Sequence, residues 1–287
     1  MKEFGRLMDC HTHIQDIKFR NIETADFFNK KVGDVRWHGV SIESHAEHIR
    51  SNNLEVVYAI YENPEILVKL REAAPGCDVR GMFFVRDINY PDKYYIRTLF
   101  AKGFIQGLKV HPVIDNFSLT TQNLKNVLDL AREFSVPLLY HSDDRSKFWQ
   151  LTAPELQEDL VRENPDVKFI IGHGGAYAHP RLVGSHPSVI AYWEGSAQGV
   201  SRRKLVTSAL ELAYLHDNAF YDLTVATNSI KAGIIAEFLH KYSEAAEKIL
   251  VGTDFPVQRA KTVSQLQSLS DAGLRPALLT KIASNRI

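Results

Sequence analysis

Two histidines separated by one residue, His11 and His13, are the side chains best suited to chemistry in this 287-residue chain. They follow Leu7, Met8 and Cys10, an apolar run typical of a buried strand. Side chains two residues apart on a strand point to the same side, so the two imidazoles should project together and form half of a metal site. Cys10 is expected to point the other way, as a buried free thiol outside the barrel.

Five more side chains that can bind a metal or a substrate follow apolar runs: Lys109, His111, His141, His173 and Asp254. If these runs are parallel strands of one barrel, their carboxyl ends converge on one space. Imidazole and carboxylate ligands in sets of three or four suit Zn²⁺ or another divalent transition metal. Each residue alone could be an ordinary hydrogen-bonded side chain, but their shared position at strand ends predicts a metal site.

The elements that must position these residues alternate between short apolar runs and longer amphipathic stretches, which is typical of βα units and a parallel sheet. A helical stripe, for example, runs from Leu124 to Phe134 with apolar residues at helical spacing. Eight strands, each followed by a helix, favour a closed (β/α)8 TIM barrel, an α/β fold, built as one domain over residues 1–287. The predicted strands are Leu7–Cys10, Glu55–Tyr61, Arg80–Val85, Gln106–Val110, Val136–Tyr140, Val167–Gly172, Ala219–Leu223 and Ile249–Thr253.

Two connections are longer than a barrel needs, and both follow strands. One is an extended loop insertion over residues 14–53 after the first strand, and the other follows His173. Both should lie over the C-terminal mouth of the barrel, where sites are built. The second loop contains Trp193, which either lines the pocket or packs within the loop. The first contains a short helical stretch that places His45 and His48 on one face, where we expect them to be solvated.

Composition excludes several other classes of protein. Lys and Arg together number 34, as do Asp and Glu, so the net charge of zero gives no bulk attraction to nucleic acid or an anionic membrane. No apolar stretch approaches the length of a membrane-spanning helix and no secretory signal precedes the first strand, so a cytoplasmic location is expected. The 2 cysteines are too few for a disulfide framework.

The strand-end motifs resemble, in order, those of the amidohydrolase superfamily. The similarity is greatest to its amidohydrolase-related (amidohydrolase 2) branch, which contains metal-dependent hydrolases and aminocarboxymuconate-semialdehyde-type decarboxylases. The tail Lys281–Ile287 also resembles the last helix of that branch. The motifs are Asp9-Cys10-His11-Thr12-His13, Gly107-Leu108-Lys109-Val110-His111-Pro112, His141-Ser142, Gly172-His173-Gly174-Gly175 and Gly252-Thr253-Asp254-Phe255-Pro256.

This resemblance implies roles for individual residues. The implied metal ligands are His11, His13, His141 and Asp254. His173 would lie beside the metal-bound water or hold a second ion, and Asp254 would also take a proton from the attacking water.

Lys109 is the position at which the resemblance allows two site types. In one, a carboxylated lysine bridges two metal ions; in the other, an uncarboxylated lysine lies near a single ion. The Gly-x-Lys-x-His-Pro setting favours a single ion, with zinc the expected metal.

Two further residues are candidates for substrate contact. Arg145 can pair with a substrate carboxylate or phosphate, but it can equally form a salt bridge with Asp143 or Asp144. His111 either contacts substrate or has a structural role before Pro112.

The chain is therefore predicted to use a divalent metal to activate water against an amide, ester or lactone-type bond of a small molecule. The alternative is non-oxidative decarboxylation of a small unsaturated or aromatic carboxylic acid, which needs the same Lewis acid. A third reading, a catalytically idle barrel that binds a small ligand, conflicts with the full set of strand-end residues. Members of the family often form homodimers, but no interface can be identified in the sequence.

Overall fold

The computed structural model describes residues 7–14, 41–142, 149–175, 193, 195–197, 199–224, 226–255 and 262–287. Eight parallel strands form one sheet. They are β1 Leu7–His13, β2 Leu54–Tyr61, β3 Asp78–Phe84, β4 Gly107–Val110, β5 Leu138–His141, β6 Phe169–Gly172, β9 Ala219–Asp222 and β10 Ile249–Leu250. Neighbouring strands in the sheet follow one another in this order. β7 Ser196–Ala197 and β8 Val200–Ser201 form a separate antiparallel pair.

The last and first strands meet, which nearly closes the sheet into a barrel. Cys10 N donates to Val251 O at 2.8 Å, and Asp254 N donates to His11 O at 2.7 Å. The predicted (β/α)8 barrel is therefore confirmed, and all eight strand predictions fall on barrel strands. The last strand is shorter than predicted, because ladder pairing with β9 ends at Leu250.

Helices connect the strands and cover the barrel. The predicted stripe lies on α5, where Leu124, Val127, Leu128, Ala131 and Phe134 are buried. The helices are α1 Ile42–Ser51, α2 Pro64–Ala73, α3 Lys93–Ala101, α4 Pro112–Asp115, α5 Thr121–Phe134, α6 Trp149–Thr152, α7 Pro154–Glu163, α8 Arg202–Leu215, α9 Ser229–Lys241, α10 Thr262–Asp271 and α11 Pro276–Ser284. Among these described helices, none has both the length and the apolar character needed to span a membrane.

An irregularity in β1 corrects the prediction for Cys10. Asp9 pairs with Val57 and Thr12 pairs with Ala59, so β1 holds one residue more than β2 in this interval. Such a bulge breaks the alternation of side chains along a strand. Cys10 therefore packs in the cluster of inward-facing strand residues, and its Sγ lies 3.7 Å from Asp222 Oδ1. It is a buried free thiol as predicted, but the prediction that it points outwards is wrong.

The helix α1, which carries His45 and His48, packs outside the barrel and leads into β2. The turn between α1 and β2 contacts the start of β1, where Leu7 N donates to Asn53 O at 3.2 Å. His45 and His48 are only 3% and 9% exposed, so the prediction of solvated histidines is wrong. The cause is Phe255 after β10, on which the His48 ring stacks at 4.1 Å and the His45 ring packs edge-on at 5.1 Å. Residues 15–40 of the predicted insertion lie outside the described residues, and the single-domain assignment stays a prediction.

Burial of His45 should make stability depend on pH. Burial, reinforced by the nearby His48, lowers the pKa of His45 from 6.5 to about 4. The unfolded chain gains a proton first on acidification, so stability is full above about pH 6.5 and falls as pH approaches about 4. We expect this residue to account for up to about 3 kcal/mol of unfolding free energy lost over that interval in the metal-free protein.

Urea unfolding of the metal-free protein at about pH 7 and about pH 4.5 measures this effect. His45→Leu should lose less stability between the two conditions than the wild type. His240→Leu, which changes an exposed histidine on α9, should behave like the wild type. Equal losses in His45→Leu and the wild type would show that His45 is not the titrating group.

The last residues of the chain fasten the start of β10. Asn285 Nδ2 donates to Ala246 O and to Ile249 O, both at 2.7 Å. Tyr58 OH from β2 donates to Ile287 O at 3.1 Å. The tail Lys281–Ile287 that resembles the family pattern thus holds the final strand against the barrel.

Candidate metal centre

The two histidines of β1 lie together in the barrel, as predicted. The His11 and His13 rings are 5.3 Å apart, and His11 Nδ1 lies 2.7 Å from Asp222 Oδ2. Because a carboxylate oxygen accepts here, we assign the hydrogen of this bond to Nδ1, which leaves the lone pair of Nε2 available. In the described part of the chain, His11 Nε2 is buried and has no hydrogen-bond partner.

Asp254 completes a group of three after β10. Its Oδ1 lies 3.5 Å from His11 Nε2 and 3.3 Å from His13 Nε2. Ligand atoms of the three residues lie within 4.8 Å of one another, and all three side chains are buried. The backbone here is tight: Asp254 has a φ of 56°, and a Cβ on Gly252 would overlap the Asp222 carboxylate.

These residues fit a divalent cation. Burial lowers the pKa of His13 to about 4, although the hydrogen bond and charge of Asp254 act against the shift. His13 is therefore neutral near pH 7, as a metal ligand must be. Two neutral imidazoles and a carboxylate are a donor set that suits Zn²⁺ or a similar ion. His11, His13 and Asp254 would hold the ion.

His173 directly follows β6 and belongs to a second, overlapping group with His11 and Asp222. Its ring lies 5.0 Å from the His11 ring and 4.6 Å from the His141 ring. Its φ of 59° is in the left-handed region, which non-glycine residues rarely adopt. Burial is the main cause that holds the pKa of His173 well below its usual value.

Asp222 is a site residue that the sequence analysis missed. Its fully buried carboxylate accepts from His11 Nδ1, from His173 N at 3.1 Å and from Thr224 N at 3.0 Å. Burial opposes its ionisation, but the interaction with His11 and these hydrogen bonds lower its pKa to about 2. The missed signal was a carboxylate at the end of the predicted strand Ala219–Leu223, the same signal that identified Asp254.

Replacing Asp222 with Asn should weaken Zn²⁺ binding by about 10-fold to 100-fold, the usual effect of losing a group that orients a ligand. The amide keeps the shape of the side chain but loses the charge and one acceptor oxygen. Competition with a chromophoric chelator measures the affinity, and Asp271→Asn at the exposed end of α10 is the matched control. Wild-type affinity in Asp222→Asn would contradict the assigned role.

Asp9 joins β1 to the segment after β10 that carries Asp254, and it too was not selected from the sequence as a site residue. It accepts from His11 N at 3.1 Å and from Thr253 N at 3.0 Å, and also from the Thr253 hydroxyl. His48 Nε2 lies 3.5 Å from the same carboxylate. One buried side chain therefore fixes the spacing between β1 and the segment that ends at Asp254.

His141 and His111 form a stacked pair with ring centres 3.8 Å apart. His111 Nδ1 accepts from Ile114 N at 3.2 Å and caps α4, which supports the structural role considered for it. His141 is buried next to His173, but neither group of three includes it. Its role as a ligand stays a prediction.

Lys109 on β4 is fully buried, and in the described part of the chain its Nζ has no hydrogen-bond partner. Burial lowers its pKa to about 8, while the charges of Asp254 and Asp222 act in the opposite direction. At pH 7 about a tenth of the Lys109 side chains are therefore the neutral amine, the form that can lie near a cation without repulsion.

The two remaining substrate candidates have different outcomes. Trp193 is 1% exposed and packs in the main hydrophobic core, which supports the packing alternative. Arg145 lies outside the described residues, so its predicted substrate contact stays a prediction.

The barrel and the buried His/Asp site are those of a metal-dependent enzyme class. A family model described as amidohydrolase matches residues 8–285, and the chain therefore belongs to the amidohydrolase-2 family. This confirms the resemblance seen in the sequence. None of the curated proteins compared matches the chain.

Solved structures share the fold over nearly the whole length. A probable 2-pyrone-4,6-dicarboxylic acid hydrolase from Acinetobacter baumannii is 12% identical with a TM-score of 0.62, over 97% of this chain and 96% of that one. A 5-carboxyvanillate decarboxylase from Sphingomonas paucimobilis is 12% identical with a TM-score of 0.61, over 97% and 96%. A 5-carboxyvanillate decarboxylase from Novosphingobium aromaticivorans, complexed with manganese and 4-hydroxy-3-methoxy-5-nitrobenzoic acid, is 10% identical with a TM-score of 0.61, over 99% and 95%. These neighbours include both a hydrolase and decarboxylases, and membership of the amidohydrolase-2 family makes the chain an enzyme.

Proposed function

We propose that the protein is a metal-dependent hydrolase that directs water against an amide, ester or lactone-type bond of a small molecule. The observation that carries the proposal is the convergence of His11, His13 and Asp254, with one carboxylate oxygen 3.5 Å and 3.3 Å from the two imidazole nitrogens. The three residues come from opposite ends of the chain and are all buried. Such a donor set serves no evident packing purpose, because apolar side chains would fill the space more favourably.

A bound divalent ion would polarise the carbonyl and lower the pKa of water to about 7. Side chains of the protein then transfer the proton of the attacking water. The Asp254 carboxylate accepts it from the attacking water and can pass it to the leaving group. Asp222 keeps His11 in the tautomer that presents Nε2, and the burial of all four side chains excludes bulk water from the site.

We further propose one ion per chain, with zinc as the expected metal. The Gly-x-Lys-x-His-Pro setting of Lys109 supports a single ion, because it resembles the site type in which this lysine is not carboxylated and does not bridge two ions. Manganese in one structural neighbour makes it the second metal to test. Elemental mass spectrometry of the protein, purified with and without bicarbonate, measures the stoichiometry. Two ions per chain only with bicarbonate would assign the bridging role to Lys109.

Decarboxylation of a small aromatic or unsaturated carboxylic acid is the second candidate. It is supported by two decarboxylases among the structural neighbours. Their TM-scores are both 0.61, and the TM-score of the hydrolase neighbour is 0.62. In this reaction a proton must reach the carbon that loses CO2, and Asp254 is the carboxylate placed to deliver it.

One experiment separates the two reactions. The zinc-loaded and manganese-loaded enzyme is incubated with lactones, esters, amides and aromatic carboxylic acids, beginning with 2-pyrone-4,6-dicarboxylate and 5-carboxyvanillate. Mass spectrometry then follows the gain of one water or the loss of one CO2. Hydrolysis predicts the first change, with ¹⁸O incorporated from labelled water. Loss of CO2 without water addition would favour the second candidate, and a chain that binds no metal after reconstitution would overturn both.

The proposal includes a small-molecule substrate and a cytoplasmic location, with no nucleic acid or membrane partner, in keeping with the net charge of zero. Size-exclusion chromatography with light scattering tests whether the protein forms the homodimer common in the family.

A further inference from the structure

A lysine outside the set of candidate ligands is buried as deeply as they are. Lys231 lies in the first turn of α9, which Asn228 caps, and its exposed fraction is 0%. Burial of an amino group is costly unless its hydrogens are satisfied. The hydrogen-bond partners of the Lys231 amino group therefore indicate its role.

Lys231 holds the backbone of two residues next to the metal centre. Its Nζ donates to His173 O at 2.6 Å and to Thr224 O at 2.9 Å. Asp222 accepts the amide hydrogens of the same two residues, from His173 N at 3.1 Å and from Thr224 N at 3.0 Å. The amide and the carbonyl of both residues are thus fixed between one carboxylate and one amino group.

His173 needs such support because of its conformation. Its φ of 59° costs a non-glycine residue about 1–2 kcal/mol relative to a helical conformation. Gly174 and Gly175 follow it, with φ values of 48° and 82°, and glycine adopts many other conformations readily. Without a partner for its carbonyl, His173 could leave this conformation at small cost, and its ring would move away from His11.

We infer that Lys231 is a positioning residue for the metal centre, which holds His173 beside His11 by fixing the His173 carbonyl. The inference rests on the proposed metal site. It gives Lys231 and Asp222 complementary tasks: Asp222 orients the His11 ring and the His173 amide, and Lys231 fixes the other side of the same peptide segment.

The test compares Lys231→Met, which removes the hydrogen-bond donors at similar length, with Lys241→Met. Lys241 is the exposed lysine at the C-terminal end of the same helix. Co²⁺ serves as the metal because its visible absorption reports ligand geometry. We expect Lys231→Met to bind Co²⁺ about 10-fold more weakly with an altered spectrum. Lys241→Met should match the wild type.

A double-mutant cycle distinguishes positioning from general structural support. If Lys231 acts through His173, Lys231→Met should cause no further loss of Co²⁺ affinity in a His173→Ala background. An additive loss would overturn the inference, as would wild-type affinity and spectrum in Lys231→Met.

Hydrogen exchange of the metal-free protein adds a readout that is independent of metal. The His173 amide should exchange at least about 10-fold faster in Lys231→Met, and equal exchange would overturn the inference. A wild type that binds no Co²⁺ would instead refute the proposed metal site. If Lys231→Met does not fold, NMR of the wild type provides the test. We then expect scalar couplings across the hydrogen bonds from Lys231 Nζ to the carbonyl carbons of His173 and Thr224. The absence of these couplings would refute the inference.

Discussion

Replacing His11 and His13 together with alanine should reduce the bound divalent metal from about one ion per chain to nearly zero. The two imidazoles are two of the three buried groups that converge within 4.8 Å. Of this group only Asp254 would remain, and the second group would keep only His173 and Asp222, so neither group would retain three ligands for a divalent ion. Activity that depends on the ion should disappear with it.

Elemental mass spectrometry after gel filtration measures the loss, with thermal unfolding as a check that the variant folds. His240→Ala removes an exposed histidine from α9 and should leave the stoichiometry unchanged. The wild type should gain thermal stability when Zn²⁺ is added, whereas the double variant should not. A folded double variant that retains one ion per chain would place the metal elsewhere.

Asp254→Asn should lower kcat by about 10²-fold to 10⁴-fold, the range expected when a general acid or base is lost. Asparagine has the same shape and is one of the few residues that tolerates a left-handed conformation, so the φ of 56° at this position can persist. The loss should therefore come from chemistry and metal binding instead of misfolding.

The measurement is kcat at saturating metal on the first substrate found by mass spectrometry. Asp217→Asn, a change at an exposed carboxylate, is the matched control. Because the amide cannot take a proton, adding metal should not restore the rate. Full recovery at high metal concentration would show that Asp254 is only a ligand.

The strand-end pattern explains why the fold and the convergence of His11, His13 and Asp254 could be predicted from the sequence. Apolar runs of β-strand length mark barrel strands, and a parallel barrel brings their carboxyl ends together, so His11 and Asp254 could be paired across the whole chain. Asp222 carries the same signal but was not selected, because strand-end carboxylates also occur without a ligand role. Its role becomes visible only when its distance of 2.7 Å to His11 is known.

Other features depend on contacts that no local pattern encodes. The bulge in β1 turns Cys10 inwards, and it follows from pairing with β2, not from the residues of β1 alone. His45 and His48 have the spacing of a helix face, but whether that face meets solvent depends on Phe255, more than two hundred positions later. Lys231 looks like an ordinary surface lysine near a helix start until its two carbonyl partners are seen.

Asp9 and Thr253, the pair that sets the spacing of the ligands, are 244 positions apart. We expect contacts between such distant residues to form late, because closing a long loop costs more conformational entropy than closing a short one. A growing chain therefore carries His11 and His13 long before Asp222 or Asp254 has been synthesised. Completion of the metal site also requires β10 to be held in place. Asn285 does this through its hydrogen bonds to Ala246 and Ile249, which can form only after the tail Lys281–Ile287 has folded. We expect the protein to bind its metal only after these contacts have formed, as the last step of folding.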